Sequence, residues 1–251
     1  MSVVGLDRDR LSAGETDLLG VPRGGGRGRP AVILLPGAGD TAATYTTDPS
    51  LTRLVRALVR AGHVVVAVAP TGPANWGRPS TAPIVDAAVA LAAQHGAHPT
   101  LVALQPISMG DLVAMTYIRL RPGRVLCVGG IQPACDLNDL RNRDVFGVAR
   151  AQIDAALGVT WPAPLPQHAS PLGTGTAALI NVGLARPGAV RFWYSEADDV
   201  TRPQYVRALA TALGGTATKV SDTLNHSDDI TNLVPTADLV RFFDQHTRRV
   251  P

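Results

Sequence analysis

The chain has 251 residues, with 23 Lys and Arg against 20 Asp and Glu and a net charge of +3. It is 45% hydrophobic and 17% charged, which excludes a disordered chain and supplies a sizeable core. Its longest apolar runs, such as Val64 to Ala69, are far too short to cross a bilayer, so no stable membrane insertion is expected. Nucleic-acid binding calls for a basic stripe interleaved with stacking aromatics. Here the arginines are scattered and aromatics make up 4%, so nucleic acid is not an expected partner.

The first residues, MSVVGLDRDRLSAGETD, contain no apolar signal core, and the expected location is the cytoplasm by default. Cys127 and Cys135 are expected to be free thiols rather than a bridge, as two cysteines in a chain expected in the cytoplasm, and neither has metal-site spacing. Residues 1 to 22 alternate in short pieces that predict an edge hairpin. The segment Pro22 to Pro30 is rich in glycine but lacks the G-x-x-x-x-G-K-[ST] spacing of a phosphate loop, and it reads as a hairpin loop.

Ala31 to Leu35 is apolar throughout, as in a parallel strand covered on both faces. Asp48 and Pro49 open a helix with Leu51, Leu54, Val55, Leu58 and Val59 on one face, and Gly62 stops it. Val64 to Ala69 is the next strand. Thr81 is expected to cap a helix running to about Gln94. Leu101 to Gln105 is a third strand, followed by a sharp turn and a helix from about Met109. A fourth strand, Arg124 to Val128, is expected to end at Gly129 and Gly130. Apolar strands alternating with helices define an α/β chain with a mainly parallel sheet between two helical layers.

Residues 131 to 180 break this rhythm, with one helical stretch (Val145 to Leu157) and a proline-rich run from Trp161 to Pro166. The rhythm resumes with the strand Arg191 to Tyr194 and a helix that Thr201 is expected to cap. A short strand, Ala217 to Val220, and an amphipathic helix, Thr236 to Thr247, complete the chain.

A serine on a strand-to-helix turn projects its hydroxyl out of the sheet, and the next amide is left free at the helix N-terminus. Pro106-Ile107-Ser108-Met109-Gly110 has this form and resembles the nucleophile elbow, G-x-S-x-G, of the α/β-hydrolase family. Gly110 fits the pattern because a side chain there would crowd the neighbouring strand. Pro106 departs from it and removes an N–H from a central strand. The resemblance covers about residues 20 to 247. It implies one domain over residues 1–251, an α/β-hydrolase fold with a small cap or lid at about 131–180.

The same resemblance assigns the other site residues. Pro36-Gly37-Ala38-Gly39-Asp40 is similar to the family's H-G-x segment, with Pro36 in the histidine position, which makes Ala38 and Met109 the oxyanion-hole amides. Ser195-Glu-Ala-Asp-Asp-Val200 is similar to the turn carrying the family's acid, giving Asp198, with Asp199 as the alternative. His226 follows the last strand, where the family places its base. Trp76 and Gly37 are candidates for the substrate pocket. The order Ser108, Asp198, His226, each after a strand, is the order this fold requires.

The implied activity is that of a serine esterase or lipase-like enzyme. It would act on a small-molecule or lipid ester with no cofactor and no metal. The alternative is a non-catalytic protein of the same fold that binds a ligand or partner.

Overall fold

The computed structural model describes residues 6–12, 15–68, 74–227 and 229–248. Its strands are β1 (Leu6–Ser12), β2 (Glu15–Gly20), β3 (Ala31–Leu35), β4 (Val65–Ala67), β5 (Val102–Pro106), β6 (Val125–Ile131), β7 (Val190–Ser195) and β8 (Thr216–Ser221). They form one eight-stranded sheet in the order β1-β2-β4-β3-β5-β6-β7-β8. β1 and β2 pair antiparallel, β2 pairs antiparallel with β4, and every later neighbour runs parallel. The expected hairpin and mainly parallel sheet are therefore both present, although residues 1–5 and 13–14 of the hairpin stretch lie outside the described residues.

The helices are α1 (Thr44–Thr47), α2 (Pro49–Arg60), α3 (Ala82–Gln94), α4 (Gly110–Leu120), α5 (Leu137–Arg143), α6 (Ala149–Leu157), α7 (Thr176–Gly183), α8 (Pro203–Ala212), α9 (Asp229–Leu233) and α10 (Thr236–Thr247). β3 shows why the central strands are apolar at every position. Ile33 and Leu35 join the core under α3 and α4, whereas Val32 and Leu34 join the core under α2 and α10. Successive side chains point to opposite faces, and both faces are covered. Asp48 caps α2 as expected, accepting from the Ser50 and Leu51 amides at 2.8 and 2.9 Å. Such a cap contributes about 1 kcal/mol.

Four sequence-based expectations are corrected. The strand expected to end at Gly129 and Gly130 runs through them to Ile131. A Cβ there would lie 2.9 Å from Phe243 and 2.8 Å from Phe192, so the glycines make room for aromatic rings rather than stop the strand. Thr81 caps nothing: it sits in a short 3-10 turn and donates to the Arg78 carbonyl at 2.8 Å. Pro22 to Pro30 is not a hairpin loop, because β2 pairs with β4 rather than β3. It docks instead on the end of α3, with the Gly26 and Gly28 amides donating to the His95 and Gly96 carbonyls.

The fourth correction concerns the excursion between β6 and β7. It contains α5 and α7 in addition to α6, and α6 starts only at Ala149, after a 3-10 turn over Val145–Gly147 in which Phe146 has φ +62°. Asp136 caps α5, accepting from Asn138 and Asp139 amides. Leu137, Leu140, Val145, Ala149 and Ile153 of this excursion form a separate core with Trp76, Met109, Leu112 and Val200. Both cysteines are buried and free. Among the described residues no helix is long and apolar enough to cross a membrane.

At the N-terminal edge of the strands, His63 is fully buried, 3.1 Å from Arg29 Nη2 and 3.2 Å from Asp244 Oδ1. Desolvation first, and the Arg29 charge second, lower its pKa to about 4, with Asp244 opposing. The folded protein therefore holds a neutral imidazole, and unfolding restores the ordinary value of 6.5. This contribution is complete above that value and is lost as pH falls toward about 4, a total of about 3 kcal/mol. Urea unfolding between these two pH values should show the loss in the parent protein and a flatter curve in His63→Gln. Equal slopes would refute it.

Candidate active site

Ser108 lies on the turn between β5 and α4 with φ +50°, a conformation costly for a residue with a Cβ. Neighbouring strands hold it there: the Ile107 amide donates to Leu35, the Ser108 amide donates to Ile131, and the Ala134 amide donates to the Ser108 carbonyl, at 2.9, 2.9 and 3.1 Å. Gly110 lets α4 approach β3 so closely that a Cβ would lie 2.2 Å from the Leu35 carbonyl oxygen. Pro106 is accommodated because the β5–β6 ladder already breaks there. Pairing stops at Leu104 with Val128 and resumes at Ile107 with Ile131, so the missing N–H falls in the gap.

Ser108, Asp198 and His226 come together at the C-terminal edge of the sheet. Ser108 Oγ is 2.9 Å from His226 Nε2, and His226 Nδ1 is 2.9 Å from Asp198 Oδ2. Asp198 is buried and accepts further bonds from the Val200 and Thr201 amides and the Thr201 hydroxyl, at 2.9, 2.8 and 2.8 Å. Burial by itself raises its pKa, but the bonds and charge from His226 and the bonds from Thr201 outweigh this and hold the carboxyl below the usual range. An ionised Asp198 can only accept, so Nδ1 carries the proton and Nε2 is left to accept from the serine hydroxyl. Thr201, expected to cap α8, spends its hydroxyl on the acid instead.

Gly37 packs against the elbow, and a Cβ added to it would lie 3.5 Å from Ser108 Cβ. Neither the Ala38 nor the Met109 amide meets a backbone acceptor among the described residues. Trp76 lies in the core formed with the β6–β7 excursion, 4% exposed, with its indole N–H donating to Gln152 Oε1 at 3.2 Å. Residues 70–73 of its loop lie outside the described residues. A depression of about 380 Å³ opens beside His226, lined by Arg143, Asp144, Val145, Phe146, Asp199, Val200 and Asn225. A larger one, about 900 Å³, lies between Arg186 and α10 near the opposite edge of the sheet, and its Arg241 and Arg248 pair with Asp238 and Asp244.

Several supporting residues carry no mark in the sequence. Gln132, buried at the end of β6, donates from Nε2 to the Ser227 carbonyl at 2.8 Å and accepts the Ser227 amide at 3.2 Å. Its own amide donates to Trp193 in β7. One side chain thus clamps the loop that carries His226. Asn225 Oδ1 accepts from the Asp199 and His226 amides, tying that loop to the acid turn. Behind the elbow, Asp111 is fully buried with neither carboxyl oxygen bonded among the described residues, and burial pushes its pKa well up. Among the described residues no group of three or more His, Cys, Asp or Glu is placed to hold a metal ion.

No family model matches the sequence, and no curated protein matches it. Solved structures do match. An S-formylglutathione hydrolase from Agrobacterium tumefaciens aligns with TM-score 0.66 at 16% identity, covering 92% of this chain and 90% of that one. Esterase B from Lactobacillus rhamnosis aligns at 0.63 and 17%, covering 92% and 81%. A thermostable esterase from Pseudomonas putida aligns at 0.61 and 17%, covering 98% and 85%. These are α/β-hydrolase-fold proteins, and this chain has the α/β-hydrolase fold.

Proposed function

We propose that the chain is a serine hydrolase that cleaves a carboxylic ester through an acyl-enzyme intermediate, with Ser108 as nucleophile, His226 as base and Asp198 as its partner. The observation that carries this is the unbroken hydrogen-bonded line from Ser108 Oγ through the imidazole to a buried, ionised carboxylate. A serine hydroxyl is a weak nucleophile near neutral pH until a positioned base takes its proton. His226 removes that proton as Oγ attacks the acyl carbon, and Asp198 stabilises the imidazolium that forms.

The Ala38 and Met109 amides receive the negative charge that develops on the carbonyl oxygen, each worth roughly 10²–10³ in rate in comparable sites. His226 then protonates the leaving oxygen, and water repeats the cycle to free Ser108. The excursion between β6 and β7 serves as a cap over this centre. The esterases among the similar structures agree with this reaction class.

The test is the intact mass of the protein after incubation with a fluorophosphonate, followed by peptide mapping. A single adduct on Ser108 is expected. An adduct on another serine would remove the site assignment, and no adduct on folded protein would favour a binding protein of this fold.

A further inference from the structure

The depression beside His226 has two properties the reaction itself does not require. The first is Phe146. Its φ of +62° is disfavoured for any residue with a side chain, and a bulky aromatic ring is a rare occupant. It is also 67% exposed, so burial does not offset the strain. A ring held out in water, in a conformation that glycine would adopt freely, on the wall of a cavity that His226 also lines, is placed for contact with something else. The second property is charge. Asp144 and Asp199 line the same cavity and form no ion pair among the described residues. The cavity's cation, Arg143, pairs with Asp139, its Nε donating to Oδ2 at 2.7 Å, a carboxylate it shares with Arg202 at 3.2 Å, and two more of its N–H groups go to the Asp199 and Val200 carbonyls.

In the proposed reaction His226 delivers its proton to the departing oxygen, and His226 is one of the residues that line this cavity. We infer that this cavity binds the alcohol half of the ester, that Phe146 is its stacking platform, and that the preferred leaving group is aromatic and not anionic. The inference rests on the proposed roles of Ser108 and His226. Stacking on an exposed ring supplies the attraction. The two carboxylates repel a negatively charged alcohol, an effect that weakens as salt is added.

The experiment compares benzyl acetate with ethyl acetate, whose leaving alcohols have similar basicity, in the parent protein and in Phe146→Gly and Phe146→Tyr. The benzyl-to-ethyl ratio of kcat/KM should fall about fivefold or more in Phe146→Gly and be retained in Phe146→Tyr. The melting temperature of Phe146→Gly should stay level or rise, because glycine relieves the strained φ. A merely structural Phe146 would give the opposite pair of results: a lower melting temperature and an unchanged ratio.

For the charge, para-carboxybenzyl acetate should be a poorer substrate than benzyl acetate, and Asp144→Asn should narrow the gap. A protein that is labelled at Ser108 but shows an unchanged ratio in Phe146→Gly overturns the leaving-group site alone. A protein that is not labelled overturns the reading of Ser108. In that case saturation-transfer NMR with benzyl alcohol decides the cavity: contact in the parent and none in Phe146→Gly supports it, and no contact in either removes it.

Discussion

Ser108→Ala should lower ester turnover by about 10⁴-fold or more while leaving the melting temperature close to that of the parent. The hydroxyl is bonded to His226 and is otherwise a small part of the turn, so its loss removes the proposed nucleophile and little packing. His226→Ala should cost a similar factor, and the double variant should be no worse than either single one, because the two groups act as a unit. Asp198→Asn should also be severe, roughly 10³–10⁴-fold, since an amide at this position no longer enforces the Nδ1–H tautomer. Unlike the other two it should also lower stability, because three donors besides the imidazole converge on that carboxylate. Residual turnover in Ser108→Ala within about tenfold of the parent would sink the mechanism. Additive losses in the double variant would mean that the serine and the imidazole work separately.

Gly110→Ala should cost about 4 kcal/mol or more and leave little soluble protein. The added Cβ would stand 2.2 Å from the Leu35 carbonyl oxygen and 2.8 Å from both the Leu35 carbonyl carbon and the Pro36 oxygen. All three are backbone atoms of β3 and the turn after it, so no side-chain rotation relieves the clash. Separation of α4 from β3 would also shift Ser108 away from the Pro36–Gly39 turn. Thermal melts by circular dichroism decide the point. A Gly110→Ala protein melting within about 2 °C of the parent would show that the elbow tolerates a wider gap than the structure holds.

What the chain reveals before folding depends on how local each signal is. The strand Ala31 to Leu35, the Asp48 cap of α2 and the limits of α10 rest on neighbouring residues, and the structure agrees with them closely. Ser108, Asp198 and His226 are legible through motif order, and they converge in space. Gln132 is not legible. Its partner is 95 residues away, and a glutamine at a strand end has no sequence mark to separate it from a surface residue. Thr201 misleads because a threonine before a helix looks like a cap whether its hydroxyl turns to the helix or to a nearby carboxylate. The glycines of β6 mislead for a related reason: only the positions of Phe192 and Phe243 explain them. In the excursion after β6, Asp136 and the leucines at 137 and 140 carry a usable helix signal, but the proline-rich run beyond obscures it.

Met109 faces two ways. Its amide is at the elbow, and its side chain, 2% exposed, belongs to the same core as Trp76, Leu137 and Leu140. Swinging the excursion aside would bare those side chains at a cost on the order of 5 kcal/mol, so fewer than about one molecule in a thousand would stand open. The core that joins the excursion to the turn beside Ser108 is therefore a keystone and not a hinge.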